Sequence, residues 1–201
     1  QELFARLEKW LAEITGFAFR PAQREAFPRG AAAGGPPAMY QLAWRDAVPA
    51  DVRDPERAGR WIIVSAAGAA DARSQSLPSC VCTTPQALAT TLKQESAVAG
   101  VVCLWDAEPG EEPPATALRV ATEGLQVVQA LLPKAAVRLY WVTHGAVAVH
   151  EGEPICAGTA SIWGLGRTVM QEHPELGCTL IDLDTSDGTL GRLVSELLAS
   201  D

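Results

Sequence analysis

Short, almost wholly apolar runs recur along the chain from residue 60 onward, and they alternate with longer stretches in which apolar residues keep helical spacing. Continuous apolar runs are typical of strands that are buried on both faces of a sheet. They predict strands at 60–66, 79–84, 99–105, 137–143 and 178–184. Helical spacing predicts helices at 85–94, 115–132, 157–172 and 188–199. The alternating run MYQLAW predicts a further short strand at 39–44.

The order of these elements predicts the fold class. Strands that alternate with helices form a parallel sheet with helices on both faces. Right-handed crossovers between the strands then give a doubly wound sheet. The sequence therefore predicts an α/β protein with a Rossmann-like, doubly wound parallel sheet, which we expect to fill residues 38–201.

The first 37 residues have a different pattern and look appended to the sheet. Residues 2–14, ELFARLEKWLAEI, place leucine, phenylalanine, tryptophan and isoleucine on one helical stripe. Residues 28–37, PRGAAAGGPP, have the composition of a linker. The helix either packs on its own domain or serves as a docking or dimerising helix, and the sequence leaves both interpretations open.

Composition excludes several classes of protein. Of the 201 residues, 48% are hydrophobic and 20% are charged, which is the balance of a globular protein. The net charge of -8 argues against a nucleic acid or an anionic membrane as a partner, because like charges repel. No apolar run approaches the ~20 residues that span a bilayer, and no signal sequence is evident. We expect a cytoplasmic protein.

The cysteines fit that location. An odd number of cysteines without regular spacing is a poor disulfide framework, and the Cys80/Cys82 pair lacks further ligands at zinc spacing. We therefore expect free thiols in a reducing compartment. The five are Cys80, Cys82, Cys103, Cys156 and Cys178.

Two glycine-containing stretches raise the question of a dinucleotide site, which needs three glycines as G-x-G-x-x-G after a strand. Gly164-Leu165-Gly166 lies inside a predicted helix, and the third motif position is Val169. We predict a packing helix there. The turn at 65–71, SAAGAAD, follows the first buried strand but has a single glycine, and we predict no cofactor site in it.

Candidate catalytic groups are few. His144, His150 and His173 are the only histidines, and we predict structural roles for all three. Tyr40 and Tyr140 fall in predicted strands, and neither has the lysine four residues on that a short-chain reductase needs. Asp182 and Asp184 end a strand, and one pair of carboxylates is weak support for a metal. No catalytic, cofactor-binding or metal-binding residue is predicted in this chain.

Residues 137–184 carry a set of short motifs in a fixed order. They are Val142-Thr143, Gly145-Ala146-Val147, Trp163 to Arg167, Glu172 to Glu175 and Asp182-Leu183. In this order they resemble the structural half of a ketoreductase from a modular type I polyketide synthase. The run MYQLAW is similar to the strand that opens such domains, so the resemblance covers about residues 39–201.

The resemblance implies a division of labour between two Rossmann-like halves. The first half is truncated and keeps no working cofactor site. The second half binds NADPH and carries the catalytic Ser, Tyr, Lys and Asn. This chain would then be the first half, without a cofactor of its own, and its partners would be the catalytic half and neighbouring dehydratase, enoylreductase or methyltransferase domains. Residues 1–37 would be a linker with a dimerising helix, which allows a homodimer, or the tail of a preceding dehydratase domain.

Three classes of function remain open at this point. The first is a non-catalytic half that supports an NADPH-dependent reduction of β-ketoacyl-carrier-protein intermediates, with the scaffold of an inactive ketoreductase beside a methyltransferase or enoylreductase as its variant. The second, less in keeping with the motifs, is a free-standing nicotinamide-binding enzyme. A third class, a docking module that acts through the helix at 2–14, is separated by its oligomeric state. A supporting half should expose an apolar patch that includes part of the 157–172 helix or of the 39–44 strand.

Overall fold

The computed structural model describes residues 44–45, 59–67, 79–134, 137–184, 193–194 and 196–197. The predicted segment 1–37 and residues 39–43 of the predicted first strand lie outside these ranges. Trp44, the last residue of that predicted strand, is exposed and is not in a strand. Among the described residues, no helix is both long and apolar enough to cross a membrane.

Five strands form one sheet in which every neighbouring pair is parallel, and the strand order is β2-β1-β3-β4-β5. Ile62 in the middle of β1 lies opposite Val81 of β2 and Val101 of β3. The strands are β1 (Arg60–Val64), β2 (Cys80–Thr83), β3 (Val98–Trp105), β4 (Arg138–His144) and β5 (Thr179–Leu183).

Three helices connect the strands: α1 (Leu88–Gln94), α2 (Pro113–Leu131) and α3 (Ala157–Glu172). The helix predicted at 115–132 begins two residues earlier because prolines occupy its first turn, where the missing N–H costs nothing. The helix predicted at 85–94 begins later, because residues 85–87 form a turn. Gly177, at a φ of 48°, takes the left-handed conformation that leads from a short 3-10 turn, Pro174–Leu176, into β5.

Both faces of the sheet are covered by apolar side chains. On one face, buried residues of the three helices, such as Leu92, Val127 and Ile162, pack on Ile62 and Leu139 of the sheet. On the opposite face a second cluster joins β1, β3 and β4 to Leu193 and Leu197, which are helical as predicted for 188–199. The fold is therefore a Rossmann-like α/β sheet with helices on both sides, as the sequence predicted.

All five cysteines carry thiols and not disulfides. Cys103 and Cys178 are buried, and Cys80, Cys82 and Cys156 are partly buried. Burial raises the pKa of Cys103 well above its ordinary value and raises the pKa of Cys178 to about 12.

Candidate functional site

The carboxyl ends of the five parallel strands meet at one edge of the sheet, which is where proteins of this architecture usually bind ligands. Ser65 follows β1, Asp106 follows β3 and His144 ends β4. Asp182 and Asp184 lie at the end of β5. Of the candidates that the sequence singled out, His144, Asp182 and Asp184 are therefore brought to the same edge.

Asp182 is the centre of a hydrogen-bond network at this edge. Its Oδ1 accepts a hydrogen bond from the Thr143 hydroxyl at 2.6 Å and from the Ala146 N–H at 3.0 Å. Its Oδ2 accepts one from the Val147 N–H at 3.0 Å. Both oxygens are thus occupied by the chain itself, and the carboxylate holds the loop that follows β4.

Thr143 continues the network into α3. The indole N–H of Trp163 donates to the Thr143 hydroxyl oxygen at 3.0 Å, and Thr143 is fully buried. Neither Thr143 nor Trp163 was predicted to have this role. A threonine at the end of an otherwise apolar strand was the only signal, since a buried hydroxyl needs partners.

His144 makes a pair with the end of the neighbouring strand. Its Nδ1 lies 2.9 Å from Oδ1 of Asp106. The Asp106 carbonyl accepts a hydrogen bond from Arg119 at 2.8 Å, and Arg119 also pairs with Glu111 at 2.7 Å. The hydrogen bond from Arg119 lowers the pKa of Glu111 to about 2. These groups tie the end of β3 to α2.

The other two histidines lie away from this pair. His173 is at the end of α3, where its Nδ1 is 3.1 Å from Glu175. His150 lies in an exposed loop, where its backbone N–H donates to Glu153 at 3.1 Å. The N–H groups of His150 and Val149 hold the pKa of Glu153 below its usual range.

Tyr140 is in the middle of β4 and is only 6% exposed. Its ring packs against Trp61 with ring centres 5.7 Å apart. Tyr140 is therefore part of the second apolar cluster, on one face of the sheet. Tyr40 lies outside the described residues.

The two glycines of Gly164-Leu165-Gly166 have different surroundings, although both lie within α3. Gly166 is buried, and an added Cβ would overlap Leu180 and come within 3.1 Å of Trp141. Packing against the sheet therefore explains Gly166, as predicted. No atom of the described residues lies within 4 Å of an added Cβ at Gly164, so packing in this part of the chain does not explain this glycine.

The turn after β1 is described as far as residue 67, and residues 68–71 lie outside the described ranges. The N–H of Ser65 donates to the Thr83 carbonyl at 3.1 Å. The Ser65 hydroxyl is buried and has no hydrogen-bond partner among the residues that the structure describes. A buried hydroxyl without a partner is unusual, and it stands where a Rossmann-like sheet would hold a ligand.

A cleft of about 460 Å³ opens beside the end of β5. The indoles of Trp44 and Trp163 meet edge to face at its wall, with ring centres 6.2 Å apart. The carboxylates around it, Asp182 and Glu153, accept hydrogen bonds from the loop after β4. Within the described ranges, no three His, Cys, Asp or Glu side chains are placed to hold a metal ion.

Comparison with known proteins gives consistent matches. Residues 42–201 match the family described as polyketide synthase extender module SpnB, Rossmann fold domain. The chain is 34% identical over 187 residues to the pikromycin polyketide synthase component PikAII of Streptomyces venezuelae, an alignment that covers 79% of this chain and 5% of that protein. It is 31% identical over 169 residues to a phthioceranic/hydroxyphthioceranic acid synthase of Mycobacterium tuberculosis, covering 73% of this chain and 8% of that protein.

Two solved structures are similar in fold and sequence. A C2-type ketoreductase from a modular polyketide synthase is 30% identical with a TM-score of 0.55, over 70% of this chain and 36% of that one. An A-type ketoreductase is 25% identical with a TM-score of 0.62, over 78% of this chain and 37% of that one. The chain thus spans a small part of the synthases and a little over a third of the ketoreductase chains that it matches.

Proposed function

Because this chain belongs to the family of Rossmann-fold domains of polyketide synthase extender modules, we propose that it is the non-catalytic, structural half of a ketoreductase. It supports a catalytic half that binds NADPH and reduces β-ketoacyl-carrier-protein intermediates. It works in the cytoplasm as part of a multidomain synthase, beside dehydratase, enoylreductase or methyltransferase domains.

The observation that carries this proposal is the position of Tyr140. Reduction of a ketone needs a proton donor within hydrogen-bond reach of the carbonyl oxygen. Tyr140, the one tyrosine in the described part of the chain, is 6% exposed and packs on Trp61 inside the sheet. A substrate at the carboxyl edge of the strands has no tyrosine to meet there among the described residues.

The polar groups at the carboxyl edge support the same interpretation. The Asp182 carboxylate accepts three hydrogen bonds from Thr143, Ala146 and Val147. His144 lies against Asp106. These groups stabilise the ends of β3, β4 and β5 by binding one another, which is the arrangement expected of a scaffold.

A second candidate function, nicotinamide binding by this chain alone, is favoured by one observation. Within the described part of the chain, the Ser65 hydroxyl is buried without a partner at the end of β1. It lies close to the reversal of strand order between β1 and β3, where such folds bind ligands. If the chain has the proposed structural role, the Ser65 hydroxyl contacts no cofactor.

Calorimetry with NADPH separates the two functions. NADPH is titrated into this chain, into a matching catalytic half, and into an equimolar mixture of both. We expect no heat of binding with this chain alone and tighter binding in the mixture than with the catalytic half alone. Binding by this chain alone that is lost in Ser65→Val would contradict the proposal and establish the cofactor site. The proposal would also be contradicted if the catalytic half bound NADPH equally tightly with and without this chain.

The segment at 1–37 stays a prediction, either a dimerising helix or a dehydratase tail. Sedimentation of the whole chain and of a version without residues 1–37 tests the first alternative. A homodimer that becomes a monomer without this segment supports the dimerising helix, and an unchanged oligomeric state excludes it.

A further inference from the structure

Two cysteines lie side by side on β2, which is the outermost strand on its side of the described sheet. Cys80 and Cys82 are two positions apart, and side chains at that spacing in a strand point to the same face. Both pack against the second apolar cluster. The other face of β2 carries Thr83, whose hydroxyl lies 2.9 Å from that of Thr91 in α1. The two thiols therefore share the face of the sheet that is turned away from α1.

The two side chains are in contact with each other. Burial raises the pKa of Cys80, and so do the nearby Cys82 thiol and the hydrogen bond between the two side chains. Each of the two residues is partly exposed, whereas Cys103 and Cys178 are buried. Cys80 and Cys82, which we call the dithiol pair, therefore combine close sulfur atoms with access from solvent.

The extended backbone keeps the dithiol pair from closing into a disulfide. Two strand residues of this spacing hold their Cβ atoms about 6.6 Å apart, and a disulfide needs about 3.8 Å. The strand cannot shorten easily, because β2 is paired with β1 along its length, with Cys80 opposite Trp61 and Cys82 opposite Ile63. A direct bond between the two sulfur atoms would therefore require part of β2 to leave the sheet.

A single atom that bridges the two sulfurs fits this spacing. Metal–thiolate bonds of about 2.3 Å, the length found with zinc, allow two sulfur atoms to lie up to about 4.6 Å apart. When the two side chains lean toward each other, they close the remaining gap of about 2 Å between this span and the strand spacing. The dithiol pair can thus hold a metal ion while β2 stays in the sheet.

The number of ligands decides which metal suits the pair. Structural zinc sites use four ligands, and no three His, Cys, Asp or Glu side chains in the described part of the chain are placed to share an ion. Copper(I) is a soft ion that prefers thiolates, and two of them in a linear arrangement satisfy it. The pair matches copper(I) in both ligand type and ligand number.

We propose that Cys80 and Cys82 form a binding site for one soft, monovalent metal ion of the copper(I) class. Binding forms two metal–sulfur bonds and releases the two thiol protons, and no electron is transferred. The bound ion and its two thiolates carry a single net negative charge. The site lies on the opposite edge of the sheet from β5, and the inference does not depend on the proposed function.

The test titrates copper(I) into the whole chain, reduced and without oxygen, in competition with the chelator bicinchoninate, whose copper complex is coloured. Cys80→Ser and Cys82→Ser each remove one ligand. Cys156→Ser is the matched control, since Cys156 is also partly exposed but lies next to α3. Each variant is first shown to unfold cooperatively in urea, and a variant that fails is replaced by the alanine variant of the same position.

We expect one copper ion per chain, at least tenfold weaker binding in Cys80→Ser and in Cys82→Ser, and binding within twofold of wild type in Cys156→Ser. X-ray absorption of the loaded chain should show two sulfur ligands. Bound copper should also protect Cys80 and Cys82, but not Cys156, from alkylation, which mass spectrometry of peptides measures.

Several results would overturn the site. They are a chain that takes no copper from bicinchoninate, equal weakening by Cys156→Ser, and zinc bound as tightly as copper(I). Binding that is lost in Cys178→Ala and kept in Cys80→Ser would place the ion among the buried thiols instead. A disulfide between Cys80 and Cys82 in the folded, air-oxidised chain would contradict the distance argument, because it would show that β2 can bring the two sulfurs into a direct bond.

Discussion

The hydroxyl of Thr143 lies 2.6 Å from Oδ1 of Asp182. This contact joins the ends of β4 and β5, and Thr143 is fully buried there. Since the same hydroxyl oxygen accepts the indole N–H of Trp163 at 3.0 Å, one side chain links two strands and a helix. The loop after β4 is held by the carboxylate that this contact orients.

Replacing Thr143 by valine keeps the volume and removes the hydroxyl. We expect Thr143→Val to lower the free energy of unfolding by about 2 kcal/mol, because the indole N–H of Trp163 loses its acceptor and Asp182 loses a donor. Urea unfolding followed by tryptophan fluorescence measures the change.

Thr168→Val is the matched control for that experiment. Thr168 is exposed on α3, and its hydroxyl donates to the Gly164 carbonyl at 3.2 Å within its own helix. We expect its free energy of unfolding to stay within about 0.5 kcal/mol of wild type. If Thr143→Val changed stability no more than this control, the network would not stabilise the edge of the sheet.

The parallel sheet was predictable because the apolar sequence of its central strands reflects their burial. β1, β3 and β4 are covered on both faces, so nearly every position in them must be apolar, and the sequence shows this directly. The bounds were less predictable, because they depend on turns: the strand predicted at 60–66 ends at Val64, where the chain turns at residues 66–67. The strand order was not predictable, since it depends on which edges pair across the sheet.

Two glycines two residues apart should respond to alanine in opposite ways. We expect Gly166→Ala to destabilise the protein by about 1–3 kcal/mol, because its Cβ would overlap Leu180 against the rigid ring of Trp141. We expect Gly164→Ala to stabilise it by about 1 kcal/mol, because the helix gains propensity and no atom in the described ranges lies within 4 Å of the added Cβ. Thermal unfolding of the two variants beside wild type measures both changes. Equal destabilisation by both would mean that Gly164 is also packed within the chain.

The residues at the carboxyl edge were predictable one at a time but not as a network. Thr143 and Asp182 are 39 positions apart, and Trp163 is 20 positions from Thr143. Their contacts follow from the register of β4 against β5 and from the way α3 crosses both strands. A sequence without related sequences beside it does not specify that register, so His144, Asp182 and Asp184 were named while Thr143 and Trp163 were missed.

Glu111 should contribute to acid unfolding. The hydrogen bond from Arg119 lowers the pKa of Glu111 in the folded protein from 4.5 to about 2. A folded-state pKa below the unfolded value means that the ion pair stabilises the protein fully above pH 4.5 and loses this effect as the pH falls toward 2. We therefore expect Glu111→Gln to be less stable than wild type at pH 7.

The difference between Glu111→Gln and wild type should shrink as the pH falls from 4.5 to 2, since only the wild type has the ion pair between Glu111 and Arg119 to lose in that window. Urea midpoints of both proteins across this range measure it, and Glu112→Gln, at the exposed neighbouring position, is the control that should follow wild type. A difference that stays constant with pH would show that the ion pair with Arg119 is not responsible.

The cysteines should fall into two classes of reactivity. The thiolate is the reactive form, and burial raises the pKa of Cys178 to about 12 and that of Cys103 well above its ordinary value. We expect a thiol reagent at pH 8 to modify at most Cys80, Cys82 and Cys156 in the folded protein, and all five cysteines in guanidinium chloride. Mass spectrometry of peptides identifies the modified positions. Rapid modification of Cys103 or Cys178 without denaturant would mean that the helices on this face of the sheet open readily, because both thiols lie in the core beneath them.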